Sequence, residues 1–138
     1  MSYGAAFALQ EAIFSALTSA PAVTDLVGAN VFDAPAHADA PDGTAGPYVT
    51  IGDERVEDWS ARGLRGAAHD VEISVHAAEA GFTEAKRIAA AISQTLEAGL
   101  PALSAGRVVT AAFRGARTRR LRDGRRRIEL RFRFRVEL

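Results

Sequence analysis

The sequence predicts an α+β domain: a mostly antiparallel sheet of about four strands with two helices on one face, in the order α-β-β-α-β-β. Three features predict it. In the closing stretch RRRIELRFRFRVEL, residues 125–138, Ile128, Leu130, Phe132, Phe134, Val136 and Leu138 alternate with Arg127, Glu129, Arg131, Arg133, Arg135 and Glu137. Side chains alternate across a strand, so one face is apolar and buried while the other is charged and wet or paired. Asp123-Gly124 just before it is a two-residue hairpin signal of type I′, which makes Arg114 to Arg122 the partner strand. Two stretches with apolar residues at helical spacing supply the cover that such a one-sided sheet needs.

The first helix spans about residues 3–19, with Ser2 as N-cap and Ala6, Leu9, Ile13, Phe14 and Leu17 at three- and four-residue spacing. Pro21 stops it, Ala22 to Val27 adds a turn, and Val31-Phe32-Asp33 is a short edge strand. Residues 34–46, APAHADAPDGTAG, have turn composition and no periodicity, so they form a surface loop. Pro47 opens the strand PYVTIG at the position where proline is tolerated. Asp53 to Gly66 then reads as a long excursion between strands, a floppy β-extension, and contains Trp59, the only tryptophan. Val71, Ile73 and Val75 alternate with Asp70, Glu72, Ser74 and His76 in a second half-buried strand. Gly81 ends that region, Thr83 caps a helix over about 83–98, and Ala85, Ile88, Ala89, Ile92 and Leu96 mark its buried stripe. The stripe is rich in alanine, so it lies close to the apolar face of the last strand. Arg107 to Arg114 is a strand that Gly115, as a bulge, leads into the final hairpin.

At 138 residues with 48% hydrophobic and 25% charged residues, the chain is one globular domain, 1–138. No apolar run reaches membrane-spanning length, and MSYGAAFALQEAIFSAL lacks a basic leader and carries Glu11, so a cytosolic protein is expected. With no cysteine, disulfides, thiolate catalysis and sulfur-ligated zinc are excluded. The formal net charge of zero hides a division. Residues 1–60 hold nine acids against Arg55, net −8, and residues 61–138 are net +8. Such halves either neutralise each other within one copy or favour head-to-tail contact between copies.

Enzyme templates are missing: no P-loop, no G-x-G-x-x-G after a strand, no H-E-x-x-H and no G-x-S-x-G. His37, with Asp39 and Asp42, has no ligand spacing, so the three read as solvent groups. His69 with Asp70, or His76 with Glu79, would make an acid–base pair only if they shared a face. Solvated or hydrogen-bonded structural histidines are the plainer reading. Asp53-Glu54 and Glu57-Asp58 read as surface charge. No catalytic residue, cofactor or metal site is expected.

The arginine tract carries more information. Residues 107–138 contain twelve arginines and three acids, net +9. Arginine pairs bidentately with carboxylates and phosphates, so this density implies an anionic partner. A neighbouring copy's acidic half and a nucleic acid both fit, as does a solvated face with no partner. Phe132 and Phe134 lie on the apolar face and offer bases no stacking platform, which favours a protein interface over nucleic-acid binding by the hairpin.

The order of Leu26-Val27-Gly28, Val31-Phe32-Asp33, Pro47 to Gly52, Val71 to His76, Ala85 to Ile92 and Asp123 to Glu137 resembles the small tail-completion or tail terminator proteins of long-tailed phages and phage-like gene transfer agents. The hairpin carries more arginine than that pattern requires. The resemblance implies a structural virion protein: a ring subunit, hexameric, at the head-proximal end of the tail, assembled in the host bacterial cytoplasm. The ring caps the tail tube and offers a docking surface to the head connector, with DNA at most passing through its lumen. It implies no catalysis and no cofactor. The expected partners are other copies, the tail tube protein and the connector, with no membrane. The interface candidates are Trp59, Arg62 and Arg65 of the excursion, acids Asp53, Glu54, Glu57 and Asp58, and hairpin residues Arg117, Arg119, Arg120, Arg122, Arg125, Arg126 and Arg127.

Overall fold

Period-two alternation near the carboxyl end builds the strand on which the rest rests. The computed structural model describes residues 3–78 and 82–138, so the expectations at Ser2, Glu79 and Gly81 lie outside the described residues. Its elements are α1 (Ala6–Ser19), α2 (Pro21–Val27), β1 (Val31–Asp33), β2 (Tyr48–Asp58), β3 (Gly66–Ala77), α3 (Thr83–Glu97), β4 (Arg107–Arg120) and β5 (Arg126–Glu137). The sheet runs β1-β2-β3-β5-β4. β1 is parallel to β2 and every other pair is antiparallel. β5 is inserted between β3 and β4, which the α3 crossover connects.

This is the expected class, with five strands and three helices in place of about four and two. The additions have local causes. Pro21 occupies the first turn of α2, where its missing N–H costs nothing, so it restarts a helix after ending one. Val31–Asp33 finds parallel partners at Val49–Ile51, a pairing that no local pattern announces. Phe82, not Thr83, stands at the N-cap of α3, and no side-chain cap bond is made there.

The expected excursion after residue 52 is a regular ladder instead. β2 continues through a bulge between Ile51 and Glu54 and pairs with β3 as far as Asp58↔Ala67. Only residues 59–65 turn. The bulge puts Glu54 opposite Val71 and Val56 opposite His69, on the helix side of the sheet. β4 is one strand with bulges at Val108/Thr110 and Phe113/Gly115, the second where a bulge was expected. The final turn differs from type I′. Gly124 is at φ 88° while Asp123 keeps a negative φ. The Gly124 N–H donates to Leu121 O at 3.0 Å and the Leu121 N–H to Arg125 O at 2.9 Å. Arg122-Asp123-Gly124 is thus a three-residue loop closed by a left-handed glycine.

Leu9, Ile13 and Leu17 of α1, Val23 and Val27 of α2, and Ile88, Ile92 and Leu96 of α3 close over Val49, Ile51, Val71, Ile73, Val75, Ile128, Leu130, Phe132, Phe134 and Val136. All three helices are on this face, and α3 crosses β3, β5 and β4 as its alanine stripe permits. Leu138 departs from the expectation: it lies past the end of β5 and is 42% exposed.

Candidate interaction surface

The charged positions of β5 share the second face of the sheet with the positions they pair with, and the registers set them in rows from β2 to β4. These rows are Tyr48–His76–Arg127–Arg119, Thr50–Ser74–Glu129–Arg117, Arg55–Asp70–Arg133–Ala112 and Glu57–Ala68–Arg135–Thr110. Between the second and third lies Glu72–Arg131–Gly115, at the level of the β2 bulge that holds Asp53. On this face the acids therefore collect on β2 and β3, and the arginines on β5 and β4.

Much of the hairpin's charge is matched within the copy. Arg133 donates from Nε and Nη2 to the two Asp70 oxygens at 2.7 and 2.9 Å. That fork, strengthened by the charges of Arg133, Arg114 and Arg55, outweighs burial and holds the Asp70 carboxyl below its ordinary range. Glu129 takes Arg119 at 2.9 Å and Arg127 at 3.1 Å. Arg107 meets Glu137 at 3.0 Å, and Arg125 meets Asp123 at 2.7 Å. Arg126 donates to Gly124 O and stands 5.5 Å over the Phe82 ring. Glu72, by contrast, is pushed up by burial, then by Glu129 and Asp53. The acidic and basic halves are tied through Arg125 and Asp39, at 3.9 Å, and through Glu54 and His69.

The remaining candidates divide. Trp59 folds back on its own sheet: a Cβ at Gly66 would lie 3.0 Å from the indole, so only glycine admits the ring there, and Arg135 stands 5.8 Å over it. Arg62 and Arg65 are exposed in the 59–65 turn. Glu57 pairs with Arg55 at 2.7 Å, and the Asp58 carboxylate accepts from the Ser60 hydroxyl at 2.8 Å. Glu54 is no plain surface charge, since its Oε2 lies 3.0 Å from Nδ1 of the fully buried His69. The Nε2 of His69 is buried with no partner. Among the described residues, Arg62, Arg65, Arg114, Arg117, Arg120, Arg122 and Arg131 make no ion pair, nor do Asp33, Asp42 and Asp53. Arg117 and Arg131 line an open cleft of about 360 Å³ with Glu72, Arg119 and Glu129. Asp33, Arg114 and Arg131 were not singled out from sequence, because only the register sorts matched arginines from unmatched ones.

At the other end of this face Tyr48 stacks on His76, centroids 4.3 Å apart and planes 2° from parallel, and Thr50 Oγ1 is 3.0 Å from His76 Nε2. Burial, then the charges of Arg127 and Arg125, lowers the His76 pKa to about 4. The imidazole is neutral at pH 7 and serves as a structural ring. The 34–46 loop runs alongside, held by Arg127 Nη1 donating to Ala36 O at 3.0 Å. Among the described residues no group of three or more His, Asp or Glu is placed to hold a metal ion.

A broad charged sheet face and two unlike edges suit a structural role. Residues 11–137 match the family described as tail completion protein gp17. The chain belongs to this family. It is a structural phage tail protein, of a family whose role suggests no enzymatic activity. The fold also matches a chain from a structure described as the virion of a native gene transfer agent particle, at 44% identity and a TM-score of 0.87, over 99% of this chain and 100% of that one. No curated protein matches. For a tail completion protein the working parts are surfaces that meet other proteins.

Proposed function

We propose that the chain is a tail terminator: a ring subunit, six to the ring, that caps the finished tail tube at its head-proximal end and presents a surface to the head connector. Assembly takes place in the host bacterial cytoplasm, and DNA at most passes through the lumen. The observation that carries this reading is unmatched charge of opposite sign at the two sheet edges, Asp33 and Asp53 at one and Arg114, Arg117, Arg120 and Arg122 at or beside the other, with Arg62 and Arg65 apart from both in the 59–65 turn. Unlike edges make a heterologous contact, which closes into a ring when the rotation allows it. The 44% identical chain in a gene transfer agent virion supports a place in such a particle.

The test is electron microscopy of particles produced without this protein. Tails of irregular length, unjoined to heads, are expected. Normal tails attached to heads would sink the capping role. Nucleic-acid binding by the hairpin is the competing use of the same arginines. Arg125, Arg126 and Arg127 are engaged within the copy, so the discriminating variant is Arg117→Ala/Arg120→Ala/Arg122→Ala. A salt-dependent duplex DNA shift that this variant abolishes would favour the competitor.

A further inference from the structure

Resting on the ring reading, we infer that neighbouring copies join opposite edges of the sheet, with Arg114 and Arg117 on β4 of one copy taking Asp33 and Asp53 on the β1/β2 edge of the next. The register carries the argument. Asp33 pairs with Ile51, Ile51 with Ile73, Ile73 with Leu130, and Leu130 with Ala116. Asp33 thus stands at the height of Ala116, between Arg114 and Arg117, on the helix side of the sheet with Ile51, whereas Arg117 shares the charged side with Glu129, so a guanidinium must reach Asp33 around the sheet edge. Asp53 lies in the bulge just before the Glu54–Val71–Phe132–Phe113 row, so its height is that of Arg114, which occupies the bulge between Phe113 and Gly115. Two acids at one edge therefore match two arginines at the far edge in height along the strands. A rotation about an axis along the strands preserves those heights, so each copy brings its acids to the level of the next copy's arginines.

All four residues are exposed, and none makes an ion pair within the copy among the described residues. The occupant is a second copy, because a nucleic acid would meet the arginines and leave Asp33 and Asp53 unanswered. The contact runs through side chains. Two bulges interrupt the outer edge of β4 and disfavour a backbone ladder with a further strand, whereas guanidinium–carboxylate pairs need none.

The experiment uses two full-length variants, Asp33→Arg/Asp53→Arg and Arg114→Asp/Arg117→Asp, with mass read by analytical ultracentrifugation and folding by circular dichroism. At a concentration where wild type forms rings, each variant alone is expected to be monomeric, because its two edges carry the same sign. Their equimolar mixture is expected to recover the ring with alternating copies. The milder Asp33→Asn/Asp53→Asn is expected to raise the concentration needed for assembly at least tenfold, about 1.4 kcal/mol. Wild-type rings with both variants assembling alone, or folded variants that stay monomeric when mixed, would overturn this contact and leave the terminator reading standing. A wild-type chain that forms no ring, in solution or on tail ends, would overturn both.

Discussion

At the scale of single residues, chemistry here is spent on structure. His76 is held neutral between Tyr48, Thr50 and two arginines, and Arg133 forks onto Asp70. The histidine has a consequence in solution. Its folded pKa of about 4 lies below the ordinary 6.5, so between those values the unfolded chain takes up a proton that the folded chain refuses. Its contribution is whole above pH 6.5 and is lost progressively as the pH falls to 4, by no more than about 3 kcal/mol. Asp70, whose folded pKa is depressed, loses its contribution in the same direction at lower pH, through the carboxylate range. Urea unfolding at pH 7 and pH 4.5 checks this. Wild type is expected to lose roughly 2 kcal/mol more than His76→Phe, which keeps a ring on Tyr48 without a titrating nitrogen. Equal losses would mean that His76 is not the group responsible.

At the scale of elements, what is local in the chain is what its sequence displays. β5 declares itself by strict alternation from Arg127 to Glu137, and α3 by its stripe from Ala85 to Leu96. The β2 extension hides because a bulge after Ile51 breaks the period and seats Glu54 on the helix side, beside His69. β1 shows in the sequence as the short edge strand Val31–Asp33, but its parallel pairing hides because the partner lies beyond a long loop. The turn departs from type I′ because Asp-Gly also fits a three-residue loop in which only the glycine is left-handed. For the interaction surface, the opposed charge of the two halves is plain in composition. Which arginines are already matched is a property of cross-strand register, and register depends on distant residues. The alternation in β5 also ranks its positions. Phe132→Ala should cost about 3–5 kcal/mol of stability, since the ring is fully buried against Phe134 and Phe113. Leu138→Ala, past the strand end and 42% exposed, should cost under about 1 kcal/mol. Thermal unfolding of the two variants decides it, and similar costs would mean that the register of β5 is wrong.

At the scale of the whole molecule, the sheet is asymmetric in two directions at once. One face is closed by three helices, so the core is complete in one copy. The other face grades in charge from the β2 edge to the β4 edge, and unmatched groups of opposite sign stand at the two edges of the sheet, some on either face. A molecule built this way has its core complete in one copy and opposite charges unanswered at its two edges, which suits closure of copies into a ring. The measurement that reaches this claim most directly is rotationally averaged electron cryo-microscopy of the head-proximal end of tails carrying the protein. A closed ring is expected, in which the β4 edge of every copy faces the β1/β2 edge of the next. A junction without such a ring, or copies meeting like edge to like edge, would contradict it.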